Sequence, residues 1–157
     1  MATIEQKENI FIYEEKYSHP YEIALNLTND CNLACRYCFV EQKPDYMTLD
    51  IAIQSVKYVL ENLRLHKEVY KDTTLDHTCG IWFFGGEPLL CFESIIKPLI
   101  EYCEKEDLLK DIHFTITTNA TLLTKDKVDF FNKYKIQPML SIDGAPTTQD
   151  FQRPCKN

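Results

Sequence analysis

The chain has 157 residues, 45% hydrophobic and 26% charged, which suits one domain with a real core and excludes global disorder. Lys and Arg number 17 against 24 Asp and Glu, a formal net charge of −7, which argues against a general nucleic-acid binder with its basic face. No apolar run approaches the ~20 residues of a membrane span, and the first residues lack a basic stretch followed by an apolar one, so the sequence reads as cytoplasmic, with no membrane partner.

Residues 1–20 are polar apart from Ile10-Phe11-Ile12-Tyr13 and read as an extended lead-in. Residues 21–28 alternate, with Ile23, Leu25 and Leu27 on one face, and predict a strand. Residues 29–46 carry no long periodic pattern. From Thr48 the spacing becomes helical through Ala52, Val56, Val59, Leu60 and Leu63, with Thr48 and Asp50 suited to a capped start. Residues 66–78 are polar and read as a loop. Ile81-Trp82-Phe83-Phe84 predicts a strand buried on both faces. Residues 94–104 are helical, with Ile95, Ile96, Leu99, Ile100 and Cys103 on one face, provided that Pro98 falls in the first turn. Ile112, Phe114 and Ile116 mark a third strand. Thr124 can cap a helix carrying Val128, Phe131 and Tyr134, and residues 138–142 read as a fourth strand ending at Asp143-Gly144. Strands alternating with helices imply an α/β fold with a parallel sheet, and residues 21–157 show no composition break.

Glycine is scarce, 4 residues where an average near 7% gives about 11. Cysteine is abundant, 7 residues, and a reduced compartment does not favour disulfides, so metal binding or redox chemistry leads. Cys31, Cys35 and Cys38 form C-x3-C-x2-C. Three thiolates this close suit an iron–sulfur centre, and a four-iron cube held by three leaves one iron open for chemistry. A zinc site lacks a nearby fourth ligand, since the flanking histidines are His19 and His66. A thioredoxin-like pair at Cys35 and Cys38 leaves Cys31 unexplained, and buried thiols sit poorly among Asn29, Asp30, Asn32 and Arg36. Cys79, Cys91 and Cys103 read as core thiols; Cys155 has no evident place.

With Tyr37 as the aromatic of C-x3-C-x-aromatic-C, the loop resembles the signature of the radical S-adenosylmethionine (SAM) enzymes. The resemblance implies a [4Fe–4S] cluster on Cys31, Cys35 and Cys38, SAM chelated to its open iron, and reductive cleavage to methionine and a 5′-deoxyadenosyl radical that takes hydrogen from a substrate. Gly85-Gly86-Glu87 matches the family's G-G-E motif. That match implies that the Gly85 and Gly86 backbone and the Glu87 carboxylate hold SAM's amino group, against the plainer reading of a strand-ending turn. Thr117-Thr118-Asn119 and Ser141-Ile142-Asp143-Gly144 resemble the SPASM or twitch subgroup, which includes anaerobic sulfatase-maturating enzymes and peptide maturases. The subgroup resemblance places Ser141 by SAM's ribose or carboxylate, Arg153 on the carboxylate, and Tyr37 and Phe39 near adenine. It implies a peptide or protein substrate and a reducing electron donor of flavodoxin or ferredoxin type. A small-molecule substrate, or a non-enzymatic metal-binding or electron-transfer module, are the rival readings.

One further expectation is independent of the resemblance: every one of these polar motifs falls at the C-terminal end of a predicted parallel strand, the edge where α/β folds bind ligands. The family fold is a partial TIM-like (β/α)6 barrel. The chain supplies about four strands of it, so the later strands and any C-terminal cluster domain are expected to be absent. The edge at residues 137–142 is then expected to drive self-association, and turnover to be slight.

Overall fold

A computed structural model describes residues 21–70 and 78–156. The lead-in and its Ile10-Phe11-Ile12-Tyr13 patch lie outside the described residues. Four strands, β1 (Glu22–Thr28), β2 (Cys79–Gly85), β3 (Ile112–Thr118) and β4 (Gln137–Leu140), form one parallel sheet in the order β1-β2-β3-β4. Four α-helices, α1 (Leu49–Tyr70), α2 (Lys97–Lys105), α3 (Lys125–Tyr134) and α4 (Pro146–Gln152), follow β1 to β4 in turn. The expected alternation is present, with neighbouring strands consecutive in sequence. Among the described residues no helix is long and apolar enough to cross a membrane.

Register explains the core. Ile23, Ile81 and Phe114 form one row across the sheet, and Leu25, Phe83 and Ile116 the next. Phe83 and Phe114 stack with ring centroids 5.7 Å apart. These residues bury with Ala52, Val56, Val59 and Leu63 of α1, Leu99, Ile100 and Cys103 of α2, and Phe131 of α3. Successive residues of a strand point to opposite faces, so Trp82 and Phe84 lie on the other side. That side is only half covered, where burial on both faces was expected. Trp82 Nε1 donates to Thr117 Oγ1 at 2.9 Å, tying β2 to β3 there.

Thr48 Oγ1 accepts from Ile51 N at 3.3 Å, capping α1 as its sequence suggests. Thr48→Ala is expected to lower stability by ~1 kcal/mol in chemical denaturation. α1 continues to Tyr70, through residues expected to be a loop. Its polar last turns are held from the side: Arg64 pairs with Glu61 and Glu68, Lys67 with Asp111, and the Tyr21 hydroxyl meets His66 Nδ1 at 2.5 Å. A polar run on an exposed helix face resembles a loop when only hydrophobic periodicity is read.

Between β2 and α2 the chain makes a 3-10 turn (Pro88–Cys91) and a π-helical turn (Phe92–Ile96). Pro98 therefore falls in the first turn of α2, where its missing N–H costs nothing. On α3, Phe131 is buried but Val128 is exposed, and Thr124 contributes its carbonyl to Val128 N (3.0 Å) rather than a side-chain cap. β4 is exposed along its length and ends at Leu140, short of the expected Ile142, because the chain turns there toward α4. Met139 (60%), Leu140 (46%) and Ile142 (65%) stand open to solvent, as expected of this edge. α4 was not anticipated; Gly144 at φ +120° turns the chain and Pro146 starts the helix.

Candidate functional site

The site begins where β1 and β2 end. Gly86 N donates to Thr28 O (2.8 Å) and Glu87 N to Asp30 O (2.9 Å), so the turn after β2 lies directly on the chain leaving β1. A Cβ on Gly86 would sit 2.2 Å from Asp30 O; one on Gly85, at φ +138°, 2.3 Å from Thr28 O. Two of the four glycines stand here because two backbones touch and leave no room for a side chain.

The cysteine loop is pinned at both ends. Asn29 donates its backbone N–H and Nδ2 to the Asp45 carboxylate, each at 2.9 Å, and Thr28 Oγ1 donates to Asp45 O at 2.6 Å. On the other side the segment after α4 closes over it. Ala34 N donates to Pro154 O (2.8 Å), Arg36 N to Gln152 O (2.9 Å) and Lys156 N to Asn32 O (3.1 Å). Lys156 Nζ reaches Asp30 at 2.8 Å, and the Arg36 guanidinium lies 4.2 Å from the Phe151 ring centroid. Cys155, unplaced from the sequence, pairs its backbone with Leu33 in this clasp.

Cys31 is buried, Cys35 half-buried and Cys38 exposed. Burial pushes the Cys31 and Cys35 thiols above the ordinary range, so their thiolates form readily only beside a positive centre. Cys79, Cys91 and Cys103 are fully buried, with burial raising them to about 11, 11 and 12 respectively, which fits core thiols.

Glu87 departs from the expectation. It is fully buried and does not line the cavity. Its Oε1 accepts from Thr118 Oγ1 (2.7 Å) and Leu89 N (3.0 Å), and its Oε2 from Asn119 N (2.8 Å). Burial pushes its carboxyl upward, opposed by these three donors. The carboxylate thus braces the end of β3 against the turn after β2, with both oxygens accepting hydrogen bonds. Asn119 carries the brace onward: its Nδ2 donates to Asn32 Oδ1 at 3.0 Å and lies 3.8 Å from Cys31 Sγ.

Beyond β4, Asp143 gathers two of the expected residues. Arg153 donates Nε and Nη2 to its two carboxylate oxygens (3.0 and 3.1 Å), and the Tyr37 hydroxyl donates to Oδ2 at 2.5 Å. Those two partners, Arg153 first, hold the Asp143 carboxyl below its usual range. Arg153 also lies over the Tyr37 ring, 5.4 Å from its centroid. Ser141 N donates to Thr118 O at 2.9 Å, setting Ser141 at the end of β4.

These pieces surround a cavity of about 160 Å³ at the C-terminal edge of the sheet. Cys31, Cys35, Cys38, Tyr37, Phe39, Gly85, Gly86, Ser141 and Arg153 all line it, so of the sequence candidates only Glu87 stands outside. Val40, Gln42, Phe84, Thr117, Thr118 and Asn119 complete the wall. Among the described residues no three His, Cys, Asp or Glu groups are drawn closely enough to hold a single metal ion. The three thiols instead ring one cavity.

A profile of the Radical SAM superfamily matches residues 25–157. The chain is 33% identical to the radical SAM cyclopropyl synthase TigE of Paramaledivibacter caminithermalis, over 77% of this chain and 26% of that protein. It is 31% identical to the serine-type anaerobic sulfatase-maturating enzyme of Bacteroides thetaiotaomicron, over 78% and 29%. The solved structure of native anSMEcpe with bound AdoMet and Cp18Cys peptide superposes with a TM-score of 0.69 at 25% identity, over 86% of this chain and 34% of that one. The chain thus spans about a third or less of each of these proteins. The parallel βα units, the cavity at their C-terminal edge and the profile match over nearly all of the described chain lead to one assignment: the chain belongs to the radical SAM superfamily.

Proposed function

We propose that this chain forms the cofactor-holding part of a radical SAM enzyme that modifies a peptide or protein side chain. The observation that carries the reading is the single cavity lined at once by three thiols and by the ends of β2, β3 and β4. The donor set fits a [4Fe–4S] cluster: three thiols, one per iron, with space beside them for a further ligand. When bound, the cluster supplies the electron that cleaves SAM to methionine and a 5′-deoxyadenosyl radical.

The chain's own share is binding and orientation. Cys31, Cys35 and Cys38 ligate the cluster. The Gly85-Gly86 backbone takes the amino group of SAM. Arg153 uses two of its five N–H donors on Asp143, which fixes the guanidinium while leaving donors for SAM's carboxylate beside Ser141. Tyr37 is held in place by Asp143 at the cavity wall and Phe39 beside it is 85% exposed, and these two rings cover adenine. A peptide substrate is favoured by the sulfatase-maturating relative and by the peptide in the anSMEcpe structure.

Titrating SAM into the anaerobically reconstituted, reduced protein tests this reading. The cluster's EPR spectrum is expected to change with SAM. A spectrum indifferent to SAM marks an electron carrier and ends the proposal.

A further inference from the structure

The sulfur of Cys31 is treated differently from its two partners. It accepts Leu33 N–H at 3.4 Å and faces Asn119 Nδ2 at 3.8 Å, both within reach for a sulfur acceptor. Among the described residues, neither Cys35 nor Cys38 receives an N–H from another residue on sulfur: Cys35 has only its own backbone N–H, and the Cys38 thiol donates to Val40 O. The orientation of the Asn119 amide follows from its surroundings. Its Oδ1 accepts Thr121 N (3.0 Å) and Thr121 Oγ1 (2.6 Å), so Nδ2 must face Asn32 and Cys31. A flipped amide would set N–H against N–H on one side and oxygen against oxygen on the other. The backbone of Asn119 is anchored by Glu87, which is itself anchored by Thr118 and Leu89. The donor is therefore preorganised, and it joins the G-G-E turn to one cluster ligand through the end of β3.

We propose that Asn119 is a positioning residue whose Nδ2–H···Sγ bond to Cys31 raises the reduction potential of the cluster. This rests on the cluster assignment made above. Reduction adds an electron whose charge is shared with the ligand sulfurs, and an N–H dipole pointing at one of them stabilises the more negative state. A buried ligand receiving two N–H donors is the place where such a bond acts most strongly.

The test is a redox titration of the reconstituted protein, without SAM, against a dithionite-type reductant and followed by EPR. Asn119→Asp keeps the acceptor for Thr121 and removes the donor; Asn119→Leu removes the donor without adding charge. Both are expected to lower the potential. In Asn119→Leu the reduced-to-oxidised ratio falls about tenfold where wild type is half reduced, which is about 59 mV for a one-electron couple. Asn119→Asp is expected to fall further because of its charge. A drop in Asn119→Asp alone is a charge effect and overturns the proposal. Should the variants fail to take up iron, pulsed EPR of wild-type protein labelled with 15N-asparagine decides. A weak nitrogen coupling that changes isotope with the label supports the bond, and its absence sinks it. Wild-type protein that binds no iron defeats the cluster assignment itself. A loaded cluster with an unmoved potential defeats only the role of Asn119.

Discussion

Replacing any one of Cys31, Cys35 or Cys38 with Ala is expected to abolish an iron and sulfide content of about four each per chain after anaerobic reconstitution. The effect is all-or-none because a cube held by two thiolates on a partly exposed loop loses the chelate that retains it. Cys91→Ala and Cys103→Ala are the matched controls. Both thiols are fully buried, with Cys91 against Leu27 O and Cys103 in the face of α2 that meets the sheet. Their loss leaves a small void and lowers stability by roughly 1–2 kcal/mol while iron content stays full. Full iron in Cys35→Ala or Cys38→Ala would show that the ligand set is wrong.

Glu87→Ala is expected to destabilise the chain by about 3 kcal/mol or more in chemical denaturation. The deletion strands Leu89 N–H, the Thr118 hydroxyl and Asn119 N–H, and each buried unsatisfied donor costs ~1–3 kcal/mol. Glu87→Gln keeps the shape and one accepting oxygen, so it loses roughly half as much; its amide must then face a backbone N–H. This separates two roles for the same residue. A direct ligand of SAM, as the motif alone implies, would lose SAM affinity at unchanged stability. A brace loses stability first, in step with the order of β3's end. Stability equal to wild type in Glu87→Ala would return the carboxylate to the ligand.

Much of the fold is local and was therefore readable. β3 alternates cleanly, the five expected apolar positions are buried, Ile95 and Ile96 in the π-helical turn and Leu99, Ile100 and Cys103 on α2, and Pro98 falls in the first turn of α2. The errors lie where tertiary contacts decide. The last turns of α1 are polar because water and ion pairs surround them, and Trp82 and Phe84 look like core although their face of the sheet is half open. The site motifs were legible because they fall at consecutive strand ends, which parallel topology brings to one edge. The partners within them were not. The Tyr37 hydroxyl meets Asp143 across 106 positions and Asn119 meets Cys31 across 88, and no spacing rule connects residues so far apart. The partners of Glu87 were hidden for a related reason: a short motif states the residue but not which donors its oxygens already accept.

The clasp over the cysteine loop carries a timetable. The backbone groups of Asn32, Ala34 and Arg36 find their partners at Gln152, Pro154 and Lys156. During synthesis the three thiols emerge early, but the residues that shape their loop follow more than a hundred positions later. Contacts of such separation close late in folding, because the loop entropy must be overcome first. A nascent chain is therefore expected to present an unshaped thiol loop to passing metals and oxidants until the end of α4 has docked, and the proposed cluster is expected to enter only from then on. Shortening the chain before Gln152 should leave the sheet formed and the cysteines in place, yet deprive the loop of the shape that selects a cluster over stray metal.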